Sequence, residues 1–342
     1  MKKNRQLAQD ELLNLLKTLV ETPGPSGSES TIRATVLANI KDFADEIQTD
    51  ALGNLIARKG TRKEGGKRVM VSAHMDEIGL MITHVDDNGF ARFLPIGGIN
   101  ALTCLGGRVL FMNGTRGVIG VERLEGTNIP TLDKLFIDTG ATSREDSKVG
   151  VGDVCGFERP FLDLGQRLVA KSMDNRVSAA VAIAALHALP ENPNEVYFVF
   201  SVQEEVGIRG AITAAYGVDP EIGMALDVTR TGDTPKSAKM EVSLGKGPAI
   251  KVRDSSFIAD PRIVEWMIRE AKAQNIPYQM EVLEAGGTDG RAMQLTRAGV
   301  PTGCLSLGCR YIHSPSEMID RSDLVNAIAL LVGLLSKPII LD

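Results

Sequence analysis

The chain has 342 residues, 43% of them hydrophobic and 24% charged, which allows one large domain or two moderate ones around a sizeable core. Its 38 Lys and Arg against 43 Asp and Glu give a net charge of -5, and the one basic run, Lys59 to Lys67, reads as a solvated turn, so a nucleic-acid partner is excluded. The longest apolar run near the C-terminus, Ala327 to Leu335, is too short to span a bilayer, and Gln9, Asp10 and Glu11 break any leader core behind MKKNR, so no membrane partner is expected.

Leu7, Leu12, Leu15, Leu16 and Leu19 recur at helical spacing over residues 6–20, and Pro23-Gly24-Pro25 stops the helix. A second amphipathic helix fits 29–44. A hairpin follows, with strands at Glu46–Asp50 and Leu55–Arg58 around Leu52-Gly53-Asn54, and then a short apolar strand, Arg68–Ala73. Residues 77–165 hold 15 of the 35 glycines, and no helix of ten residues fits there. Short alternating segments such as Arg108–Met112 and Gly117–Val121 predict a small all-β domain inserted into an α/β domain. Alternation resumes with strand Leu168–Lys171, helix Asn175–Leu189, strands Glu195–Val202 and Ile222–Leu226, and a helix capped by Asp260 with Pro261 in its first turn. Strand Tyr278–Leu283, helix 289–298, strand Thr302–Leu307 and a helix from Ser322 complete the chain. Strands alternating with helices predict a three-layer α/β/α sandwich formed by 1–76 and 166–342, with 77–165 inserted. Cys104, Cys155, Cys304 and Cys309 are scattered without a Cys-x-x-Cys spacing, as in a cytoplasmic protein with reduced, buried thiols.

Chemistry collects at strand ends. His74-Met75-Asp76, Asp174, Glu204-Glu205, Asp227 and His313 mostly follow apolar runs, and side chains at the carboxyl ends of neighbouring strands converge on one crevice. Taken singly they are ambiguous. His74 and Asp76 would share a face in extended backbone, which suits a carboxylate steadying an imidazole and equally suits a core histidine beside a surface acid. Asp174 stands where a helix cap would, and Asp227 where a turn would start. Glu204-Glu205 is different, because two adjacent charges at a buried strand end cost several kcal/mol without a compensating charge. Being adjacent, they diverge, so one can bind a metal while the other faces a substrate as a base. Five hard or borderline ligands at one crevice predict a site for two divalent cations. His84 and His187 are expected to be structural, and Gly207–Gly210 and Gly286–Gly290 to wall the crevice.

The strings SAHMDEIGLMI (72–82), KSMDNR (171–176), VQEEVGIRGA (202–211), ALDVT (225–229), GGTDG (286–290) and RYIHSPSEMI (310–319) resemble those of the tetrahedral aminopeptidase family of dinuclear metallopeptidases. That family includes glutamyl, leucyl and deblocking aminopeptidases and some relatives labelled endoglucanase. The resemblance implies His74, Asp174 and Asp227 on one metal ion and Asp174, Glu205 and His313 on a second, with Zn2+ or Co2+ as the ions. It further implies Glu204 as general base, Asp76 as the clamp on His74, and a metal-bridging water as nucleophile. Short peptides would be the substrates, losing their N-terminal residues, and the inserted domain would form dimers that assemble into a homododecamer. Two other activities remain beside it at this stage: a metal-dependent deacylase of acyl-amino acids, and an endoglucanase.

Overall fold

The computed structural model describes residues 4–124 and 128–341. The first three residues of MKKNR, residues 125–127 of the glycine-rich segment and Asp342 lie outside the described residues. The chain opens with α1 (Gln9–Glu21), α2 (Ser30–Ile40), β1 (Glu46–Thr49), β2 (Leu55–Lys59) and β3 (Arg68–His74). The β-rich stretch follows: β4 (Gly79–Val85), β5 (Ala91–Ile96), the one-turn α3 (Ala101–Cys104), β6 (Arg108–Phe111), β7 (Arg116–Val121), β8 (Leu135–Asp138) and β9 (Val154–Phe157). Then come β10 (Leu162–Asp163), β11 (Arg167–Ala170), α4 (Met173–Ala188), β12 (Glu195–Ser201), α5 (Arg209–Val218), β13 (Ile222–Thr229) and β14 (Ala249–Arg253). The chain finishes with α6 (Pro261–Ala273), β15 (Gln279–Val282), α7 (Asp289–Gln294), β16 (Thr302–Arg310), β17 (Glu317–Asp320) and α8 (Arg321–Leu335).

Eleven strands make one sheet in the order β1-β2-β12-β3-β13-β16-β17-β11-β10, with β14 and β15 branching from β16. Its centre is parallel: β3 pairs β12 and β13, and β13 pairs β16. Both faces of these strands are apolar, and alternate residues go to opposite sides. In β3, Val69, Val71 and Ala73 face the core under α1, α4 and α8, whereas Met70 joins Val199, Ala225 and Cys304 beneath α5 and α7. The result is the expected three-layer sandwich. Strands β4-β5-β8-β7-β6-β9 close into a separate small barrel with its own core of Leu80, Ile82, Val109, Phe111, Ile137 and Phe157.

Helix boundaries follow local chemistry. Asp260 caps α6 by accepting from Arg262 N–H, and Asp320 caps α8 by accepting from Ser322 and Asp323 N–H. Several expectations shift. Strand β13 continues to Thr229, so Asp227 lies within a strand and does not close it, and β16 runs on to Arg310. Helix α7 stops at Gln294, α2 at Ile40. Lys59 is buried at the end of β2, its Nζ donating to Leu186 O at 2.8 Å, so only the remainder of that basic run is a solvated turn. Periodicity in single elements gave no sign of α5, β14 or β17. All four cysteines are free and buried.

Gly210 opens α5 where a side chain has no room: an added Cβ would lie 2.3 Å from Asn54 Oδ1 and 2.4 Å from Val202 O. Gly217, in the same helix, faces open space. Urea unfolding should therefore separate the two. Gly210→Ala is expected to lose about 1–3 kcal/mol through overpacking, whereas Gly217→Ala should gain roughly 0.5 kcal/mol from reduced chain entropy.

Candidate metal centre

The parallel register brings the carboxyl ends of β3, β12, β13 and β16 side by side, with Ser201 opposite His74 and Asp227 opposite Ser306. His74 ends β3. Glu204 and Glu205 lie just past β12, where Gln203 takes a left-handed turn at φ 55°. Asp174 sits at the mouth of α4, where Asp174 and Asn175 have non-helical backbone and are joined by a cis peptide, so the regular helix begins beyond them. His313 follows β16 in a loop whose Tyr311 and His313 both adopt left-handed backbone, at φ 62° and 63°. Such conformations are uncommon for side chains of this size and cluster at functional sites.

All seven residues singled out from the sequence meet in this crevice. His74 Nε2 is 3.1 Å from Asp174 Oδ1, 4.0 Å from Asp227 Oδ1 and 3.9 Å from Glu204 Oε2. His313 Nε2 is 3.3 Å from Asp174 Oδ2 and 3.1 Å from Glu205 Oε2. Two triads result, His74-Asp174-Asp227 and Asp174-Glu205-His313, and each gathers its ligand atoms within 4.8 Å. Asp174 belongs to both, through different oxygens. Imidazoles with carboxylates form a donor set that suits zinc or cobalt. Glu205 Oε1 is buried and without a hydrogen-bond partner, as a ligand atom awaiting a cation would be.

Asp76 lies beyond the end of β3, so it does not meet His74 through a shared strand face. It turns back instead, its Oδ1 standing 3.4 Å from His74 Nδ1. Its carboxylate also accepts from Glu204 N–H, Glu205 N–H and Ser26 Oγ, at 3.1, 3.2 and 2.6 Å. The sequence reading missed four buried acids around the crevice. Glu317 accepts from the backbone N–H groups of Asp174 and His313. Asp289 accepts from the hydroxyls of Ser72 and Ser201. Glu77 pairs with Lys171 at 2.6 Å, and Glu29 accepts from Gln203 N–H at 3.2 Å. Glu77, Asp289 and Glu317 lie inside strings already quoted, but no spacing in one chain marks such groups.

A Cβ on Gly287 would lie 3.5 Å from Ile208 Cδ1, so the two glycine-rich segments approach each other. A further wall comes from the barrel side. A Cβ on Gly97 would lie 3.0 Å from Glu205 Oε2, and one on Gly98 3.0 Å from His313 Nδ1. His84 is exposed on β4, and His187 stacks on Phe43 at 3.6 Å with Nε2 2.7 Å from Asn39 O, both away from the crevice.

Electrostatics reflect the crowding. Burial raises Glu204 well above the ordinary glutamate range, and the charges of Asp227, Asp289 and Glu205 add to this against the pull of His74. Burial and Asp174 raise Asp227 and Glu205 likewise. Asp174 moves the other way: burial opposes its ionisation, but hydrogen bonds to His313 and His74 outweigh it. Burial works against the His313 imidazolium, yet Asp174 and Glu205 push its pKa up to about 11. A buried carboxylate cluster of this density must hold either protons or cations.

A family model described as M42 glutamyl aminopeptidase matches residues 53–330. A putative aminopeptidase of Acetivibrio thermocellus is 47% identical over 329 residues, covering 95% of this chain and 99% of its own length. Lysyl aminopeptidase of Pyrococcus furiosus is 37% identical over 94% of this chain and 96% of its own. Among solved structures, an aminopeptidase from the archaeon Desulfurococcus kamchatkensis superposes with a TM-score of 0.93 at 39% identity, covering 96% of this chain and 95% of that one. The TET1 peptidase of Pyrococcus horikoshii, described as assembling into a tetrahedron or a large octahedral shell, gives 0.86 at 34% identity over 95% and 99%. A Thermotoga maritima protein named endoglucanase gives 0.80 at 32% over 94% and 96%.

His313 supplies a pH test in protein stripped by a chelator. Its folded pKa of about 11 lies above the ordinary value of 6.5, so its stabilising contribution is complete below about pH 6.5 and disappears as pH rises toward 11. The difference in melting temperature between the stripped wild type and stripped His313→Gln should accordingly be larger at pH 6.5 than at pH 9.5. Equal differences at the two pH values would contradict this placement.

Proposed function

Because this chain belongs to the M42 glutamyl aminopeptidase family, we propose that it is a dinuclear metal-dependent aminopeptidase that removes N-terminal residues from short peptides. The observation that carries this reading is the sharing of Asp174 between two ligand triads. In it, His74 and Asp227 would hold one cation and Glu205 and His313 the other, with Asp174 offering an oxygen to each. Zinc or cobalt ions there would supply Lewis acidity and lower the pKa of a water toward neutrality.

The chain's own groups supply the proton traffic. Glu204 reaches the crevice without belonging to either triad, its Oε2 3.9 Å from His74 Nε2. Burial and neighbouring acids raise its proton affinity above the ordinary glutamate range, the direction a general base requires. It takes a proton from the attacking water and returns it to the departing amine. Asp76 holds the imidazole of His74 and the backbone of Glu204 and Glu205 in place. The free α-amino group of the substrate docks at the same cluster, which restricts cleavage to the first residue.

The endoglucanase name of one neighbour is not favoured. A retaining glycosidase needs two carboxyls about 5 to 5.5 Å apart on either side of a sugar linkage. Here Glu205 lies against His313 and Glu204 against His74, so the two adjacent side chains turn toward different imidazoles and do not flank one linkage. The barrel bears exposed Leu94, Val118 and Val151, which supports a role for residues 77–165 in dimer formation. We propose that such dimers close into a shell of twelve, and a mass measurement in solution tests that number. The four free cysteines support a cytoplasmic location, and among the described residues no helix is long and apolar enough to cross a membrane.

Glu204→Gln should retain wild-type cation content while kcat on aminoacyl substrates falls by about 10²–10⁴-fold. Retained turnover would remove Glu204 from this role. A chelator should abolish hydrolysis of aminoacyl substrates in the wild type. Hydrolysis confined to N-acyl substrates would instead favour the deacylase, and chelator-resistant cleavage of a glucan would favour the endoglucanase.

A further inference from the structure

One buried carboxylate holds the backbone of two candidate ligands that are remote in sequence. Glu317 is 1% exposed and begins β17. Its Oε2 accepts from Asp174 N–H at 2.8 Å and its Oε1 from His313 N–H at 2.7 Å. Strand register makes this possible: β17 pairs antiparallel with β11 so that Glu317 lies opposite Ala170. The turn carrying Asp174 leaves that end of β11, and the loop carrying His313 arrives at that end of β17. The Glu317 side chain therefore stands between them.

We infer that Glu317 is a positioning residue that sets the spacing between the bridging carboxylate and the imidazole of the second cation site. Neither ligand is held by regular structure, since Asp174 has ψ 105° and His313 has φ 63°. Two N–H donors on the two oxygens of one carboxylate fix the separation of their nitrogens, and the side chains then meet with His313 Nε2 3.3 Å from Asp174 Oδ2. Glu317 belongs to neither triad, and both its oxygens are engaged by backbone, so it orients ligands and does not act as one. The role demands two acceptors at the reach of a glutamate. Glutamine offers one acceptor and turns an NH2 toward an N–H donor, while aspartate is one methylene too short to serve both groups. Asp76 acts in the same way on Glu204 and Glu205, so the four ligand-bearing or base-bearing residues outside regular strands hang from two carboxylates.

This inference rests on the two-cation reading, and titrating the full-length, chelator-stripped protein with Co2+ tests each separately. Affinity is measured by competition with a chromophoric chelator, geometry by the visible absorption of bound cobalt, and folding by thermal melting of the stripped protein. His313→Gln identifies which binding step belongs to the second site. In Glu317→Gln that step should weaken by about 10–100-fold with an altered cobalt spectrum, the other step should change much less, and kcat should fall more than KM rises. Glu317→Asp, which keeps the carboxyl group, should not rescue. Wild-type affinity and spectrum in the glutamine variant, equal weakening of both steps, or failure of both variants to fold would overturn the positioning role. A wild type that takes up no cobalt would instead overturn the two-cation reading.

Discussion

The contacts of a single carboxylate, Asp174, with two imidazoles organise this protein. One carboxylate, buried at the mouth of α4, reaches His74 with one oxygen and His313 with the other, and further acids approach from both sides. Charges concentrated in this way away from water are tolerable only when an opposite charge stands among them. Much of the surrounding structure serves that arrangement. The parallel strands deliver the side chains to one edge, the left-handed turns at Gln203, Tyr311 and His313 aim them inward, and buried acids beneath them fix the backbone.

A second layer of charge lies under the first. Glu77 accepts from Gly24 N–H at 2.9 Å and pairs with Lys171, while Arg176 donates to Leu19 O and Thr22 O at 2.6 and 2.8 Å. These contacts join the end of α1, the start of α4 and the segment entering the barrel. Arg176 is fully buried, so its role there is to satisfy carbonyls that the end of α1 leaves without partners. The same side chains that close a helix end thus also locate the peptide carrying Asp174. Stability and the geometry of the crevice are coupled at this point.

Much of this was legible in the sequence, for a physical reason. Alternation and helical spacing mark faces that must be buried, and strand ends in a parallel sheet converge, so His74, Asp174, Glu204, Glu205, Asp227 and His313 could be placed together before any coordinates. The illegible parts depend on tertiary partners. Glu317, Asp289 and Glu77 act on backbone or hydroxyl groups far away in the chain, and a lone acid gives no sign of what it will accept from. Helix α5 is short, follows Ile208 at φ 58° and has no side-chain cap, so no start signal announced it. Strand β14 was missed because its buried Lys251 pairs with Glu281 of β15, a polar pair that breaks the apolar run.

The approach of Gly97 and Gly98 to Glu205 and His313 bears on how far the molecule is modular. An inserted unit is ordinarily removable, joined to its host by two neighbouring peptide crossings and free to be replaced by a short linker. This one sends a backbone corner against the host's most charged groups, and any residue larger than glycine there would push on a histidine ring or a carboxylate. Excision would leave that flank open to solvent, so the barrel and the sandwich have to evolve together, with substitutions in the insertion constrained by chemistry that takes place outside it.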